Sequence, residues 1–316
     1  MTGHIRRLGE ELDELAPDVL GAVSSREAFL TELAYAQRPP IHERRVPSYG
    51  AFVEPTTALR AWPEKVGFDV SRRNVADLTD AAVRRFADGI VSWAVRWFDA
   101  VDDLVVFDRS VGSERDLSVL AEATGASIVQ RHPAGTVRAV GGFGVLRYDG
   151  IDWQLELPIE RWLDVGNCET GPLSADLLDR MLRFAVHDVS ARRIGTTFVV
   201  APGGHLLPSA ERRYGSPPEL SIARPADLAP LYHILGQLDG AAVFDELGTL
   251  RHLGVRLVPS AQAEAGVDPY RGTRHTSALR YSYDDPTATV IVVSEDGPVS
   301  VLRSGNRLGQ SATAGG

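Results

Sequence analysis

The alternation of apolar and polar residues predicts that helices and strands follow one another along most of the chain. In the first half, helical spacing predicts helices at residues 5–20, 27–36, 77–98 and 114–124. Short apolar runs predict strands at residues 104–107, 127–130, 137–148 and 151–157. Weak periodicity and several prolines between residues 41 and 75 predict an extended segment. This mixture predicts an α/β domain over residues 1–164.

The second half has the same mixture and predicts another α/β domain over residues 173–307. Its predicted helices are residues 174–191, residues 225–238 and a short helix from Thr276. Its predicted strands are residues 196–200, 242–245, 255–258, 289–294 and 299–303. Residues 165–172, which contain Cys168, are typical of a connector. The small polar residues 308–316 predict a disordered tail.

Composition and charge narrow the class of protein. The 316 residues suffice for two ordinary domains, and 44% hydrophobic with 24% charged residues is a normal globular balance. The chain has no apolar run long enough to span a membrane and does not begin with a secretory signal. We therefore expect a soluble cytoplasmic protein. A net charge of −9 argues against extended nucleic-acid binding but leaves small anionic ligands open.

Two scarce residue types exclude several chemistries. Lys65 is the only lysine, and it lies outside the motifs that P-loop, protein kinase and Schiff-base sites require. Cys168 is the only cysteine, so an internal disulfide and a cysteine-rich zinc site are excluded.

The segment LDGAAVFD places a carboxylate directly before a predicted strand. Asp239 is followed by Gly240 and Ala241, which lack bulk, so a ligand can approach the backbone beside the carboxylate. Such a carboxylate suits a hard divalent cation. By itself, an Asp-Gly pair is more often an ordinary turn.

The segment YRGTRHTSAL combines groups that bind phosphate. Gly272, Thr273, Arg274 and His275 precede the predicted helix start at Thr276. Backbone N–H groups at a helix start, together with hydroxyls, a guanidinium and an imidazole, favour a phosphate site. By itself, the string also fits a helix cap with a solvated arginine.

A third segment, VIVVSEDG, ends a predicted strand with Ser294 and Glu295 and so supplies a hydroxyl and a second carboxylate. By itself this is a common hairpin sequence. The three segments together, in this order, resemble the diadenylate cyclase domain, the catalytic module also found in DNA integrity scanning proteins. The string Gly254-Val255-Arg256-Leu257 between the first two segments agrees with the resemblance.

The resemblance spans roughly residues 173–307 and implies a mixed central β-sheet flanked by helices. It also implies a reaction, in which two ATP molecules give cyclic di-AMP, a second messenger, and two pyrophosphates. Ring closure then requires two active sites that face each other in a homodimer or larger homo-oligomer. Residues 1–164 become a candidate sensor or regulatory domain.

The resemblance also implies roles for individual residues. Asp239 would bind Mg²⁺ or Mn²⁺ and, with Arg274 and His275, form the catalytic group, while Glu295 would be a second metal ligand. The implied ATP-binding residues are Gly240, Ala241, Leu257, Gly272, Thr273, Arg274, His275, Thr276 and Ser294.

Two positions depart from the family pattern. Thr276 stands where the family has a second arginine, and Leu238 stands where some members have a histidine. Threonine lacks the charge and bidentate grip of a guanidinium, so we expect weaker phosphate binding or slower turnover. Arg271 and Arg280 are candidates to substitute. A non-catalytic regulator that binds ATP or cyclic di-AMP therefore remains an alternative, as does a purely structural interaction module.

Other conspicuous residues have ordinary structural interpretations. The glycine-rich string at residues 141–144 lies inside a predicted strand pair, which favours a strand or bulge over a phosphate loop. Trp93 and Trp97 are four residues apart on the predicted helix, which favours a role in the core.

Overall fold

The chain folds into two compact units. The computed structural model describes residues 3–15, 17–41, 43–75, 77–97, 100–163, 173–295, 298–311 and 313–314. One unit comprises residues 1–158 with 313–316, and the other comprises residues 159–312. The whole expected connector, residues 165–172 with Cys168, lies outside the described residues.

Helices and strands alternate in both units. The helices are α1 (Gly3–Leu15), α2 (Pro17–Gly21), α3 (Arg26–Gln37), α4 (Trp62–Val66), α5 (Asp80–Val83), α6 (Glu114–Thr124), α7 (Ile159–Trp162), α8 (Ala175–Arg183), α9 (Pro225–Leu235), α10 (Ala261–Gly266) and α11 (Thr273–Asp284). The strands are β1 (Tyr49–Val53), β2 (Val70–Asn74), β3 (Ser92–Trp97), β4 (Ala100–Phe107), β5 (Ser127–Arg131), β6 (Val137–Gly141), β7 (Gly144–Tyr148), β8 (Trp153–Glu156), β9 (Thr196–Val200), β10 (Glu211–Arg212), β11 (Ala241–Phe244), β12 (Leu250–Arg256), β13 (Thr289–Val293), β14 (Val299–Arg303), β15 (Asn306–Gln310) and β16 (Thr313–Ala314).

The N-terminal unit is built on a nine-stranded mixed sheet with the order β16-β8-β7-β6-β5-β1-β3-β4-β2. Its β1–β3 pair is parallel, and the other pairs are antiparallel. Helix α6 has the predicted bounds, because the Ser113 and Asp116 side chains form a capping box at its start. Gly125, in the left-handed region at φ +67°, ends it.

The helix predicted at residues 77–98 is wrong. Helix α5 covers only four residues of this segment, and residues 92–97 form strand β3. Asp88 Oδ1 accepts hydrogen bonds from the N–H groups of residues 90–92, which fixes a turn before the strand. Trp93 is fully buried in the core, as predicted, but from a strand. Both faces of β3 are buried, so apolar and polar residues do not alternate along it. The sequence pattern therefore could not distinguish this strand from a helix.

Tight turns connect the strands of the N-terminal unit after residue 136. The strand predicted at residues 137–148 is two strands, β6 and β7, which pair through Gly141 and Gly144. A Cβ at Gly144, where φ is +105°, would lie 2.1 Å from the carbonyl oxygen of Glu156, so this turn requires glycine. The predicted hairpin at Asp149 and Gly150 is confirmed, and it joins β7 to β8.

The C-terminal unit contains a seven-stranded mixed sheet with the order β10-β12-β11-β9-β13-β14-β15. Strands β9 and β11 are parallel, and the other pairs are antiparallel. On one face, helices α8 and α9 cover an apolar layer that includes Phe198 and Phe244. On the other face, Ala278 and Tyr281 of α11 pack on Val199 and neighbouring strand residues. The expected mixed sheet flanked by helices is therefore confirmed.

The tail predicted to be disordered contains two strands. Residues 308–310 belong to β15, which pairs with β14, and Thr313–Ala314 pairs with β8. Ser311 is fully buried, and its hydroxyl accepts a hydrogen bond of 2.9 Å from the N–H of Val299. Backbone pairing does not depend on large side chains, so the small polar composition was misleading.

Among the described residues, none of the helices combines the length and apolar composition that crossing a bilayer requires.

Candidate functional site

Asp239, Gly240 and Ala241 lie where the chain enters the central strand β11. Ala241 pairs with Thr197 on one side and Val255 on the other. Gly240 has φ +103°, and a Cβ there would lie 2.7 Å from the carbonyl carbon of Gly254. Glycine therefore lets β11 and β12 approach closely at this end of the sheet. Asp239 is exposed, and its carboxylate forms no hydrogen bond or ion pair with the described residues.

Helix α11 begins one turn earlier than predicted, at Thr273 rather than Thr276. Gly272 is the N-cap residue, and its carbonyl accepts the first helical hydrogen bond, 2.9 Å from the N–H of Thr276. The N–H groups of residues 273–275 therefore lack intrahelical acceptors. Thr273, Arg274 and His275 therefore form the first turn of the helix instead of preceding it, so their N–H groups are available to bind an anion at the helix end.

Arg274 crosses the start of strand β9. Its guanidinium lies 3.8 Å from a carboxylate oxygen of Glu295, in an ion pair that is largely exposed to solvent. A Cβ at Gly195 would lie 2.5 Å from Arg274 Nη1 and 2.6 Å from Glu295 Cγ. Glycine at position 195 thus leaves the space through which Arg274 reaches the sheet.

His275 is buried, with 6% of its surface exposed, and its ring packs edge-on against Tyr270. Nε2 has no hydrogen-bond partner among the described residues. Burial, and then the charges of Arg271 and Arg274, lower the pKa of His275 below its usual value of 6.5. The imidazole is therefore neutral at neutral pH.

The hydroxyl at position 276 is already used within the protein. Thr276 Oγ1 lies 3.1 Å from both the nitrogen and the carbonyl oxygen of Tyr270. Arg271 and Arg280 were the candidates to replace the family's second arginine. Arg280 lines the cavity that these segments form, and Arg271 does not. The Arg280 guanidinium donates to the carbonyl oxygens of Val267 and Glu264.

These segments enclose a cavity of about 730 Å³, a size typical of small-molecule sites. Its lining comprises Gly195, Thr197, Arg213, Asp239, Gly240, Ala241, Val255, Arg256, Leu257, Pro259, Thr273, Arg274, Thr276, Ser277 and Arg280. The predicted residues brought together here are Asp239, Gly240, Ala241, Leu257, Thr273, Arg274 and Thr276. The predicted residues outside this lining are Gly272, His275, Ser294 and Glu295.

Several lining residues were missed from the sequence. Thr197 belongs to β9 and Gly195 directly precedes that strand, so their position follows only from the pairing of β9 with β11. Arg213 lies between the predicted strand at residues 196–200 and the predicted helix at residues 225–238, where no element was predicted. It reaches the cavity because the two-residue strand β10, which directly precedes it, pairs with β12. One signal in the sequence could have indicated Gly195 and Thr197. A strand was predicted to start at Thr196, and neighbouring parallel strands begin at the same edge of a sheet.

The cavity is strongly positive. Arg213, Arg256, Arg274 and Arg280 line it, whereas Asp239 is the only carboxylate among the lining residues. Guanidinium groups beside a helix N-terminus favour phosphate. The fold and the cavity together define an α/β domain with a positively charged pocket, whose groups are of the kind that bind phosphate.

Comparisons with known proteins identify the family more closely. Residues 183–307 match the family model described as DisA bacterial checkpoint controller nucleotide-binding, and residues 6–156 match the one described as probable sensor domain DACNK. In sequence order, the chain therefore contains an N-terminal domain that matches the probable sensor domain DACNK and a C-terminal domain of the DisA nucleotide-binding family, the diadenylate cyclase domain family.

Full-length comparisons add little. No curated protein matches the chain significantly. Among solved structures, the crystal structure of a hypothetical membrane spanning protein from Bacillus cereus matches with 20% sequence identity and a TM-score of 0.33. The match covers 49% of this chain and 66% of that one, slightly less than two thirds of its length.

Proposed function

We propose that the C-terminal domain is a diadenylate cyclase that converts two ATP molecules into cyclic di-AMP and two pyrophosphates. The observation that carries this proposal is the cavity, which brings together Asp239, the first turn of α11 with its free N–H groups, and four arginines. Membership of the C-terminal domain in the nucleotide-binding family supports ATP as the ligand.

The reaction consists of two equivalent adenylyl transfers. The 3′-hydroxyl oxygen of each ATP bonds to the α-phosphorus of the other, the bond from that phosphorus to the β-phosphate bridging oxygen breaks, and pyrophosphate leaves. The hydroxyl proton passes to solvent or a nearby base. Both transfers close the ring only when two ATP molecules face each other, so the active species is a homodimer. Such chemistry depends on positioning and charge neutralisation more than on a covalent nucleophile.

We assign different parts of ATP to different walls of the cavity. The N–H groups at the start of α11 and the Arg274 guanidinium bind the triphosphate. Neutral His275, which lies outside the cavity lining, packs against Tyr270 and stabilises the first turn of α11. Gly240 and Ala241 allow the nucleotide to lie against the backbone, while Leu257 and Pro259 offer an apolar surface to the nucleoside. Ser294 as a phosphate ligand stays a prediction.

Asp239 fits the family's divalent metal. Its carboxylate lines the cavity without a partner among the described residues, and Mg²⁺ is often held by one or two carboxylates plus substrate phosphates. The described residues contain no cluster of three or more metal-binding side chains, so ATP would complete the ligand set. Bound Mg²⁺ or Mn²⁺ would neutralise phosphate charge. Glu295 as a second metal ligand stays a prediction. Its carboxylate lies 3.8 Å from the Arg274 guanidinium, and Glu295 is not among the residues that line the cavity.

Incubation of the purified protein with ATP and Mg²⁺ or Mn²⁺, followed by mass spectrometry, tests the proposal. We expect cyclic di-AMP from the wild type and a loss of about 100-fold or more in Asp239→Asn, since the metal-binding charge disappears. Asp176→Asn is the matched control, because Asp176 is an exposed carboxylate on α8 that does not line the cavity. Absence of product from a wild type that binds ATP, with either metal, would refute cyclase activity.

One observation favours a second function, a regulator that binds ATP or cyclic di-AMP without turnover. Position 276 supplies neither the family's arginine nor a free hydroxyl, because Thr276 is bonded to the backbone of Tyr270. A Thr276→Arg variant separates the two functions. An increase in cyclic di-AMP from a low wild-type rate supports a slow cyclase, whereas ATP binding with no product from either form supports the regulator.

A further inference from the structure

Tyr270 closes the turn that leads into helix α11. Its N–H donates to Thr276 Oγ1, and the same hydroxyl donates to the carbonyl of Tyr270, both at 3.1 Å. The carbonyl also accepts the N–H of Gly272 at 2.8 Å. Arg271, which lies between Tyr270 and Gly272, has a left-handed φ of +52°. This conformation costs free energy for a residue other than glycine. The backbone of Tyr270 thus holds a strained turn directly before the phosphate-binding donors.

The side chain of Tyr270 is bonded to strand β15. Its hydroxyl donates to Gln310 Oε1 at 2.6 Å and accepts from Arg307 Nη1 at 2.6 Å. Arg307 Nη1 also donates to Gln310 Oε1 at 3.0 Å, so the three groups form a closed set of hydrogen bonds. Strand β15 is itself paired with β14, and Tyr270 is therefore fixed to the sheet.

The ring of Tyr270 also contacts the first turn of α11. The His275 ring lies 5.8 Å away between centroids, at an interplanar angle of 80°. The guanidinium of Arg271 lies 5.8 Å from the Tyr270 centroid. Neither Tyr270 nor its β15 partners, Arg307 and Gln310, line the cavity, so they act on a ligand only through the turn.

We propose that Tyr270 is a positioning residue for nucleotide binding, which fixes the first turn of α11 to strand β15 through Arg307 and Gln310. This inference rests on the proposed function, because it assigns the N–H groups of residues 273–275 to the triphosphate. Hydrogen bonds weaken steeply with poor distance or angle, so a small movement of this turn lowers phosphate affinity. The nucleoside surface at Leu257 and Pro259, which follows β12, does not move with it.

The Tyr270→Phe variant tests the proposal, since it removes the hydroxyl and keeps the ring. Calorimetry on the full-length protein is expected to show about five- to tenfold weaker ATP binding and unchanged adenosine binding. Tyr283→Phe is the matched control, because Tyr283 lies near the end of α11, is exposed and does not line the cavity. Gln310→Ala should weaken ATP binding similarly, and the double variant should be no weaker than either single one.

Amide hydrogen exchange provides a second measurement, on the nucleotide-free protein. Residues 271–276 should exchange faster in Tyr270→Phe than in the wild type, while the end of α11 is unchanged. Wild-type ATP affinity in Tyr270→Phe overturns this inference alone. Equal weakening of ATP and adenosine indicates a general loss of structure and overturns it too. A wild type that does not bind ATP refutes the proposed function and, with it, this role.

Discussion

At the scale of single residues, the four arginines of the cavity differ in how their charge is compensated. Arg274 and Arg256 each lie within ion-pair distance of a glutamate, and Arg280 donates to carbonyl oxygens. Arg213 has no hydrogen bond or ion pair within the described ranges. Its charge is therefore the least neutralised, and an anionic ligand gains most from it.

We accordingly expect Arg213→Ala to weaken ATP binding by about three- to tenfold, an effect that shrinks as salt is added. The neighbouring Arg212→Ala is the matched control, because Arg212 is an exposed arginine on β10 outside the cavity lining. Titration calorimetry at low and high ionic strength measures both. Equal affinities for the two variants at low salt would contradict a special contribution from Arg213.

At the scale of elements, a buried charge cluster joins helix α3 to strand β3 and helix α5. The carboxylate of Glu32 is fully buried and accepts hydrogen bonds from Arg84 at 2.7 Å, from Arg96 at 2.5 Å and from the Tyr49 hydroxyl. Burial alone would raise the pKa of Glu32, but the bonds and charges of Arg84 and Arg96 outweigh it and lower the pKa below 4.5. The cluster thus stabilises the ionised carboxylate.

Glu32→Gln should lower the free energy of unfolding by about 3 to 5 kcal/mol, because it removes the buried counter-charge of Arg84 and Arg96 and leaves them only the partly exposed Asp80. Glu27→Gln, on the same helix, should change it by less than about 1 kcal/mol. A lowered carboxyl pKa adds stability above pH 4.5 that is lost as the pH falls through the native pKa. Between pH 7 and pH 3, the free energy of unfolding measured in urea should therefore fall less steeply in Glu32→Gln than in the wild type. Parallel curves for the two proteins would contradict this role of Glu32.

Elements also show why local patterns succeeded or failed. Helix α6 was predicted with its observed bounds because its cap residues and periodicity agree. Strand β3 was mistaken for a helix because both of its faces are buried. Strand β15 was missed because its pairing with β14 is made by the backbone.

At the scale of the whole molecule, the proposed reaction requires two chains. Cyclic di-AMP production per chain should therefore rise with protein concentration until the homodimer is saturated, by mass action. The amount of ATP bound per chain should stay constant over the same range, since one chain contains the whole cavity. Product assays and sedimentation on one dilution series measure both. A rate per chain that is constant while the protein sediments as a monomer would contradict the dimer.

The sequence by itself determined the two α/β halves, the family of the C-terminal domain and the motifs around Asp239 and Arg274. These follow from local periodicity and from residue strings that carry their own chemistry. The tertiary structure alone decided that Arg213 lines the cavity, that α11 starts at Thr273 and that Tyr270 is bonded to β15. Such contacts join residues far apart in the chain, and sheet pairing that brings them together leaves no local pattern.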